Sequence, residues 1–329
     1  MSPMAQLNMV RALNLAMREA LAEDETTIIL GQDVGQNEGV FRLTEGLLRQ
    51  FGPDRVVDFP VAESAIVGLA VGLCFTGFKP ICEMQFSGFG YHAFHQIENH
   101  VSRFRNRTRG RYACPMVIRM PYGGGIRALE HHSESREAVF AHLPGLKVVI
   151  PSGPRNARAL LRASIFDPDP VIFYEPKALY RAFREAVPDE PETMEIGQAA
   201  AVRCGGDVTI ISYGATMRSV LEAADELEDE HNIDAEIIDL LSLVPMDTDT
   251  IAASVKKTGR CVVVHEAPRT CGPAAEVITR IVENALMYLE APIQRVTGYD
   301  LVLPFFNIER PYLPDTQKVV SAAREVVSF

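Results

Sequence analysis

Between Asp58 and Phe89 the chain reads DFPVAESAIVGLAVGLCFTGFKPICEMQFSGF, which places one carboxylate, Glu63, at the head of an almost uncharged helical segment. A carboxyl kept from water holds its proton more readily unless a cation or several amides stabilise the charge, so proton transfer is the chemistry this placement suits. The plainer alternative is a first-turn acid that only complements a helix dipole. A second candidate is PYGGGIRALEHHSESREA (121–138), where three glycines lead into His131-His132-Ser133. The glycines permit unusual backbone angles or mobility. Adjacent histidines cannot both face one point in a regular element, so at most one serves catalysis and the other packs or hydrogen-bonds. Glu130, His131, His132 and Glu134 include metal-ligating types. Their spacing is neither the i, i+4 pair of a zinc helix nor a finger pattern, so zinc is not expected. The aromatic run EMQFSGFGYHAF supplies Phe86, Phe89, Tyr91 and Phe94 as core or as a wall for a ring, with Gln85 and His92 as polar groups of weaker claim.

These residues need elements to place them. The apolar run VVDFP (56–60) reads as a strand that Pro60 ends, and 62–77 supplies apolar residues on every face of a helix. Such a helix must be buried all round. Gly68 and Gly72, on one side of it, allow a close approach by another backbone, from this chain or a second subunit. Further strand-like segments are TTIIL (26–30), KPICEM (79–84), PMVIRM (115–120), LKVVIP (146–151) and PVIFYE (170–175), with helices between most of them. Apolar strands alternating with helices imply a parallel sheet covered on both faces, with ligands outside the carboxyl ends of the strands. The acid- and proline-rich REAVPDEPETMEIGQ (184–198) reads as a linker. After it the alternation restarts with DVTIISYG, AEIIDL and GRCVVVHE and the helices between and after them. The expected fold is α/β with two doubly wound domains: residues 1–185, a linker at 186–198, and a smaller domain at 199–329.

At 329 residues, both domains can bury a core. The net charge of −11 and the lack of a sustained basic stripe argue against nucleic acid as a partner. Arg103, Arg105, Arg107, Arg109 and Arg111 form a local basic run, suited to an acidic protein surface or simply solvated. Residues 1–185 hold 21 Lys/Arg against 19 Asp/Glu, leaving 11 against 24 for the rest. That asymmetry supports a domain boundary and an acidic second half that meets a basic partner or stays soluble. The six cysteines show no CxxC pair and read as reduced core thiols. No apolar run reaches membrane-spanning length and the amphipathic start is not a targeting peptide, so no membrane and a cytoplasmic location are expected.

The order Asp58-x-Pro60-x-x-Glu63, then a Gly-spaced apolar helix, Lys79-Pro80, Glu83 and an aromatic tail, resembles the β subunit of thiamine diphosphate-dependent 2-oxo acid dehydrogenases. The resemblance runs from the first helix (9–22) to TGYDLVLP and YLPD near the end. It implies a transketolase-like, thiamine-pyrimidine-binding domain followed by a transketolase C-terminal-like domain. By the same resemblance, Glu63 exchanges a proton with the pyrimidine ring nitrogen of thiamine diphosphate, and Phe89 packs against that ring. His132 lines the channel to the cofactor, where it protonates or orients substrate and the lipoyl group. The positions matching a structural monovalent cation site, of the kind potassium fills, are Cys114, Met116, Val117, Ser164, Asp167 and Asp169. Asp167 and Asp169 flank Pro168 and are equally good turn formers.

Thiamine enzymes hold magnesium and the diphosphate through a Gly-Asp-Gly segment followed by Asn-Asn, and this chain has none. Gly205-Gly206-Asp207 runs straight into the strand VTIIS, and there is no GxxxxGK motif. The resemblance therefore implies an α subunit that brings Mg2+ and the diphosphate end, an α2β2 heterotetramer, and transfer of the acyl group to lipoyl-lysine of a dihydrolipoyl acyltransferase core. HSES and FYEPKALYR stand closest to branched-chain members, with pyruvate and acetoin dehydrogenase β subunits as the alternatives. A non-catalytic scaffold subunit and a nucleotide-binding oxidoreductase are the readings from other classes. VHEAPRTCG (264–272) is either a docking surface for the core or an ordinary strand-to-helix loop.

Overall fold

Strands rich in β-branched residues set the framework. The computed structural model describes residues 4–329. Its contacts divide into a first unit, running up to Tyr122 and resuming over Val139–Ile196, and a second unit of Gly123–Ala138 with Gly197–Phe329. In the first unit, β1 (Thr27–Gly31), β2 (Val56–Asp58), β3 (Lys79–Glu83), β4 (Val117–Tyr122), β5 (Lys147–Val149) and β6 (Val171–Pro176) lie parallel in the order β5-β6-β4-β3-β1-β2. Every residue of β1, β4 and β6 is buried, as expected for parallel strands covered on both faces. Helix α1 (Met9–Glu23), capped by the Asn8 side chain accepting from Arg11 N–H at 3.0 Å, packs on α4 (Pro154–Phe166). Because β2 and β3 flank β1 on opposite sides, the strand order reverses there, and the carboxyl ends of these strands are where an open α/β sheet offers a ligand crevice.

Helix α2 (Glu63–Phe75) follows β2, and α3 (Gly90–Gln96) follows β3. The expectation that α2 is buried all round is not met within this chain. Ile66, Val67, Ala70 and Val71 are covered, but Leu69 and Phe75 are 43% and 41% exposed. The reason is local: nothing lies within 4 Å of where a Cβ on Gly72 would be, whereas Gly68 faces the Gln96 side chain. Glu185–Pro188, the start of the expected linker, pairs antiparallel with Met4–Leu7 and belongs to the first unit.

The second unit carries β7 (Ala200–Arg203), β8 (Val208–Ser212), β9 (Ala235–Asp239), β10 (Cys261–Pro268) and β11 (Gln294–Gly298) in the order β11-β10-β8-β9-β7, with only the β9/β7 pair antiparallel. Helices α5 (Thr216–His231), α6 (Thr248–Thr258), α7 (Pro273–Ala285) and α8 (Thr316–Val327) accompany it. Val208, Ile210, Leu227, Val262, Val264 and Val319 form the core between sheet and helices. All six cysteines are free, but Cys204 and Cys271 are exposed, so only four fit the expectation of core thiols. Among the described residues no helix is long and apolar enough to cross a membrane.

Candidate active site

Pro60 ends the β2 run, and the chain then turns into α2 with Glu63 in its first turn. The Glu63 side chain is 7% exposed, and its Oε2 lies 3.5 Å from His92 Nδ1 on the neighbouring α3. A protonated imidazole at that distance is an ion-pair partner for the carboxylate. His92, a minor candidate in the sequence, is thus brought to the principal one. Asp58, two residues before Pro60, accepts the amides of Gly35 at 2.6 Å and Gln36 at 2.9 Å, and so ties the loop after β1 to the end of β2. Phe89 stands in the turn after β3, edge-on to Phe86 with ring centroids 5.5 Å apart, and Phe86 is edge-on to Phe41 at the same separation. A buried carboxyl beside an imidazole, with aromatic faces at the same edge of the sheet, fits a flat heteroaromatic ring that carries a protonatable nitrogen.

Beneath this edge lies a charge cluster that sequence reading missed. Arg119 on β4 is fully buried and binds Glu175 on β6 through two nitrogens at 2.7 and 3.1 Å, and Glu83 on β3 at 2.7 Å. The Tyr180 hydroxyl also donates to Glu175. Burial opposes the charge on Arg119, but the carboxylates of Glu175 and Glu83 outweigh it and hold the guanidinium charged. Burial pushes the Glu83 carboxyl above its usual range, against the pull of Arg119. The available signal was three charged residues inside otherwise apolar strands, which must neutralise one another once buried.

His132 belongs to the second unit, in the Gly123–Ala138 segment, on a single turn of 3₁₀ helix at Glu130–His132. Gly123 N–H donates to Glu134 O at 3.3 Å and closes the loop across its base. A cavity of about 490 Å³ runs along Ser133–Arg136 and is lined also by Glu266, Thr270, Asp300 and Tyr312. Glu266 accepts from the Ser135 hydroxyl at 2.7 Å. Glu137, fully buried, accepts from the Tyr213 hydroxyl at 2.8 Å, and burial, with the nearby charge of Glu266, pushes its carboxyl up to about 7. Tyr213 stacks on His265, whose imidazole burial holds down at about 4. His265 and Glu266 lie within β10 and are buried, so this part of VHEAPRTCG is interior strand.

At the positions matching a cation site, the groups engage one another. Asp167 pairs with Lys147 at 2.6 Å and accepts from Asp169 N–H at 2.8 Å, and Asp169 pairs with Arg105 at 2.5 Å. The carbonyls of Cys114, Met116 and Ser164 accept from Met116, Val171 and Asp167 amides at 2.7, 3.0 and 3.4 Å. Val117 lies buried within β4. Each carbonyl retains a second lone pair.

The class follows from matches to known domains. Residues 5–182 match the transketolase pyrimidine-binding domain and residues 197–319 the transketolase C-terminal domain. A solved structure described as a split-gene transketolase, inactive β4 tetramer, shares the fold with a TM-score of 0.78 at 22% identity, over 98% of this chain and 99% of that one. The chain is 48% identical to the pyruvate dehydrogenase E1 component subunit beta of Bacillus subtilis, over 99% of this chain and 100% of that protein. It is 47% identical to the protein of the same name from Acholeplasma laidlawii, over 98% of each. The chain belongs to the transketolase-like family of E1 β subunits of thiamine diphosphate-dependent 2-oxo acid dehydrogenases.

Proposed function

We propose that this chain is the β subunit of a pyruvate dehydrogenase E1 component and works with an α subunit in an α2β2 heterotetramer. The observation that carries the substrate is the name shared by full-length relatives at 47–48% identity, all described as pyruvate dehydrogenase E1 subunit beta. The segments HSES and FYEPKALYR pointed toward branched-chain substrates, and pyruvate now has the stronger support. Selection between 2-oxo acids differing by a few methyl groups involves only about 1–3 kcal/mol per group, which short segments do not encode legibly.

Thiamine diphosphate, when bound, supplies the carbon nucleophile that decarboxylates the 2-oxo acid. In this reading Glu63 holds a proton at the pyrimidine nitrogen, His92 steadies the charge left on its carboxylate, and Phe89 covers the ring and excludes water. His132 orients substrate and the lipoyl group of an acyltransferase partner. Mg2+ and the diphosphate end belong to the α subunit, because this chain lacks the Gly-Asp-Gly and Asn-Asn segments. A monovalent cation at the Cys114–Val117 and Ser164–Asp169 positions is part of the same proposal. The domain plan of 1–185, 186–198 and 199–329 is part of the same proposal, supported by family matches that end at 182 and begin at 197, with Gly123–Ala138 grouping with the second unit and residues up to Ile196 with the first.

Steady-state decarboxylation by the chain reconstituted with an α partner, Mg2+ and thiamine diphosphate tests the proposal. Pyruvate should give a kcat/KM at least about tenfold above each branched-chain 2-oxo acid, and the isolated chain should be inactive. A preference for branched-chain acids would reverse the substrate assignment, and decarboxylation by the chain alone would remove the division of labour.

A further inference from the structure

The loop that carries His132 is held by carboxylates far away in sequence. Glu309, 2% exposed, accepts Gly125 N–H on Oε1 at 2.8 Å and Arg127 N–H on Oε2 at 3.1 Å, across 184 and 182 residues of chain. Glu266, 7% exposed, takes the Ser135 hydroxyl at the far end of the same loop, one residue past Glu134. The glycine run is shaped around these acids. Gly123 adopts φ +85°, and a Cβ there would lie 2.1 Å from Glu266 Oε1. Gly125 adopts φ +90° and presents its amide to Glu309. The glycines therefore serve defined backbone angles and a close approach to carboxylates, rather than mobility. A buried carboxylate gripping two amides through both oxygens fixes direction as well as distance.

We propose that Glu309 and Glu266 are positioning residues for the acyl-transfer chemistry: they clamp the two ends of the Gly123–Ala138 loop and thereby set where the His132 imidazole stands. The proposal rests on the reading of His132 as the residue that orients substrate and the lipoyl group. Glu309 acts on the backbone before the histidine and Glu266 on the side chain after it, so the 3₁₀ turn bearing His132 is fixed from both sides.

The test uses the complete chain assembled with its α partner, comparing Glu309→Ala, Glu309→Gln, Glu266→Gln, His132→Ala and the Glu309→Ala/His132→Ala double variant. Hydrogen exchange over residues 123–138 should accelerate about tenfold or more in Glu309→Ala, the factor that loss of a charge-assisted hydrogen bond implies, with Val208–Ser212 unchanged. Overall turnover should fall through kcat more than through KM for the 2-oxo acid. Glu309→Gln, which keeps one acceptor oxygen, should recover part of both losses. The double variant should be no slower than His132→Ala alone, because a misplaced imidazole and an absent one fail in the same way. Unchanged exchange in the loop, or losses that multiply in the double variant, would overturn the inference. If His132→Ala alone keeps full turnover, the reading of His132 falls, and the exchange result still decides whether Glu309 holds the loop. Should Glu309→Ala fail to fold, Glu266→Gln applies the same criteria at Ser135.

Discussion

The two units bury charge in opposite ways. In the first, Arg119 sits between Glu83 and Glu175, so two carboxylates share a guanidinium with satisfied geometry. In the second, Glu137 is met by a phenol hydroxyl and faces another acid, and His265 is buried as a neutral ring. The first arrangement ties β3, β4 and β6 together beneath the carboxyl edge, with the Arg119 guanidinium held charged by the two acids. In the second, burial brings the Glu137 carboxyl up to about 7, within reach of neutrality. Compensation gives a rigid platform under Glu63, while incomplete compensation leaves groups whose protonation responds to pH beside the histidine loop.

The largest expected effect breaks the compensated cluster. Arg119→Met leaves two buried carboxylates without a cation and should cost about 3–5 kcal/mol, read as a shift of the urea midpoint at constant slope. A change below about 1 kcal/mol would mean that the cluster is not closed as described.

The next prediction concerns the uncompensated pair. The folded-state pKa of Glu137 is raised from 4.5 to about 7, so its contribution is fully present below pH 4.5 and is lost as pH rises through 7. His265 is lowered from 6.5 to about 4, so burial of its neutral ring stabilises above pH 6.5 and that stability is lost as pH falls to 4. Each spans about 3 kcal/mol, and over pH 4.5–6.5 the two slopes oppose each other. Wild-type stability should be nearly flat there, whereas Glu137→Gln should lose about 3 kcal/mol on acidification from pH 7 to pH 4. Denaturant titrations at several pH values check this, and parallel profiles for the two proteins would refute the role of Glu137.

The smallest effect separates pairing from burial. Lys79 holds Asp24 at 2.6 Å, with side chains 31% and 20% exposed, and together with Thr26 lowers the Asp24 carboxyl to about 2. That stability is present above pH 3.8 and lost as pH falls toward 2. Water screens the pair, so Lys79→Met should cost at most about 1 kcal/mol near neutral pH. A cost matching that of Arg119→Met would show that burial is not what distinguishes these two ion-paired sites of the first unit.

What was legible in the sequence follows the same physics. Strands buried on both faces write continuous apolar runs, so β1, β3, β4, β6, β8, β9 and β10 could be read to within a residue or two. The edge strand β11, with Gln294, Arg295 and Thr297, and the ribbon of Met4–Leu7 with Glu185–Pro188 carry no such run and were not foreseen. Glu63 stood out as a candidate because one acid heads an apolar helix, and His132 because its loop resembles the family's; their roles remain part of the proposal. Glu309, Glu137 and the Arg119 cluster did not stand out, since their meaning lies in partners dozens to nearly two hundred residues away. The incomplete burial of α2 was hidden for a related reason: an apolar sequence states that a helix wants cover, not which chain provides it.

The central claim, that a buried carboxyl at position 63 performs the proton exchange, is tested most directly by Glu63→Gln in the enzyme reconstituted with its α partner, Mg2+ and thiamine diphosphate. Decarboxylation should fall by about a hundredfold or more, the usual range for loss of a positioned acid–base group, while the unfolding midpoint stays within about 0.5 kcal/mol of wild type. Turnover near the wild-type rate in a correctly assembled variant would contradict the claim.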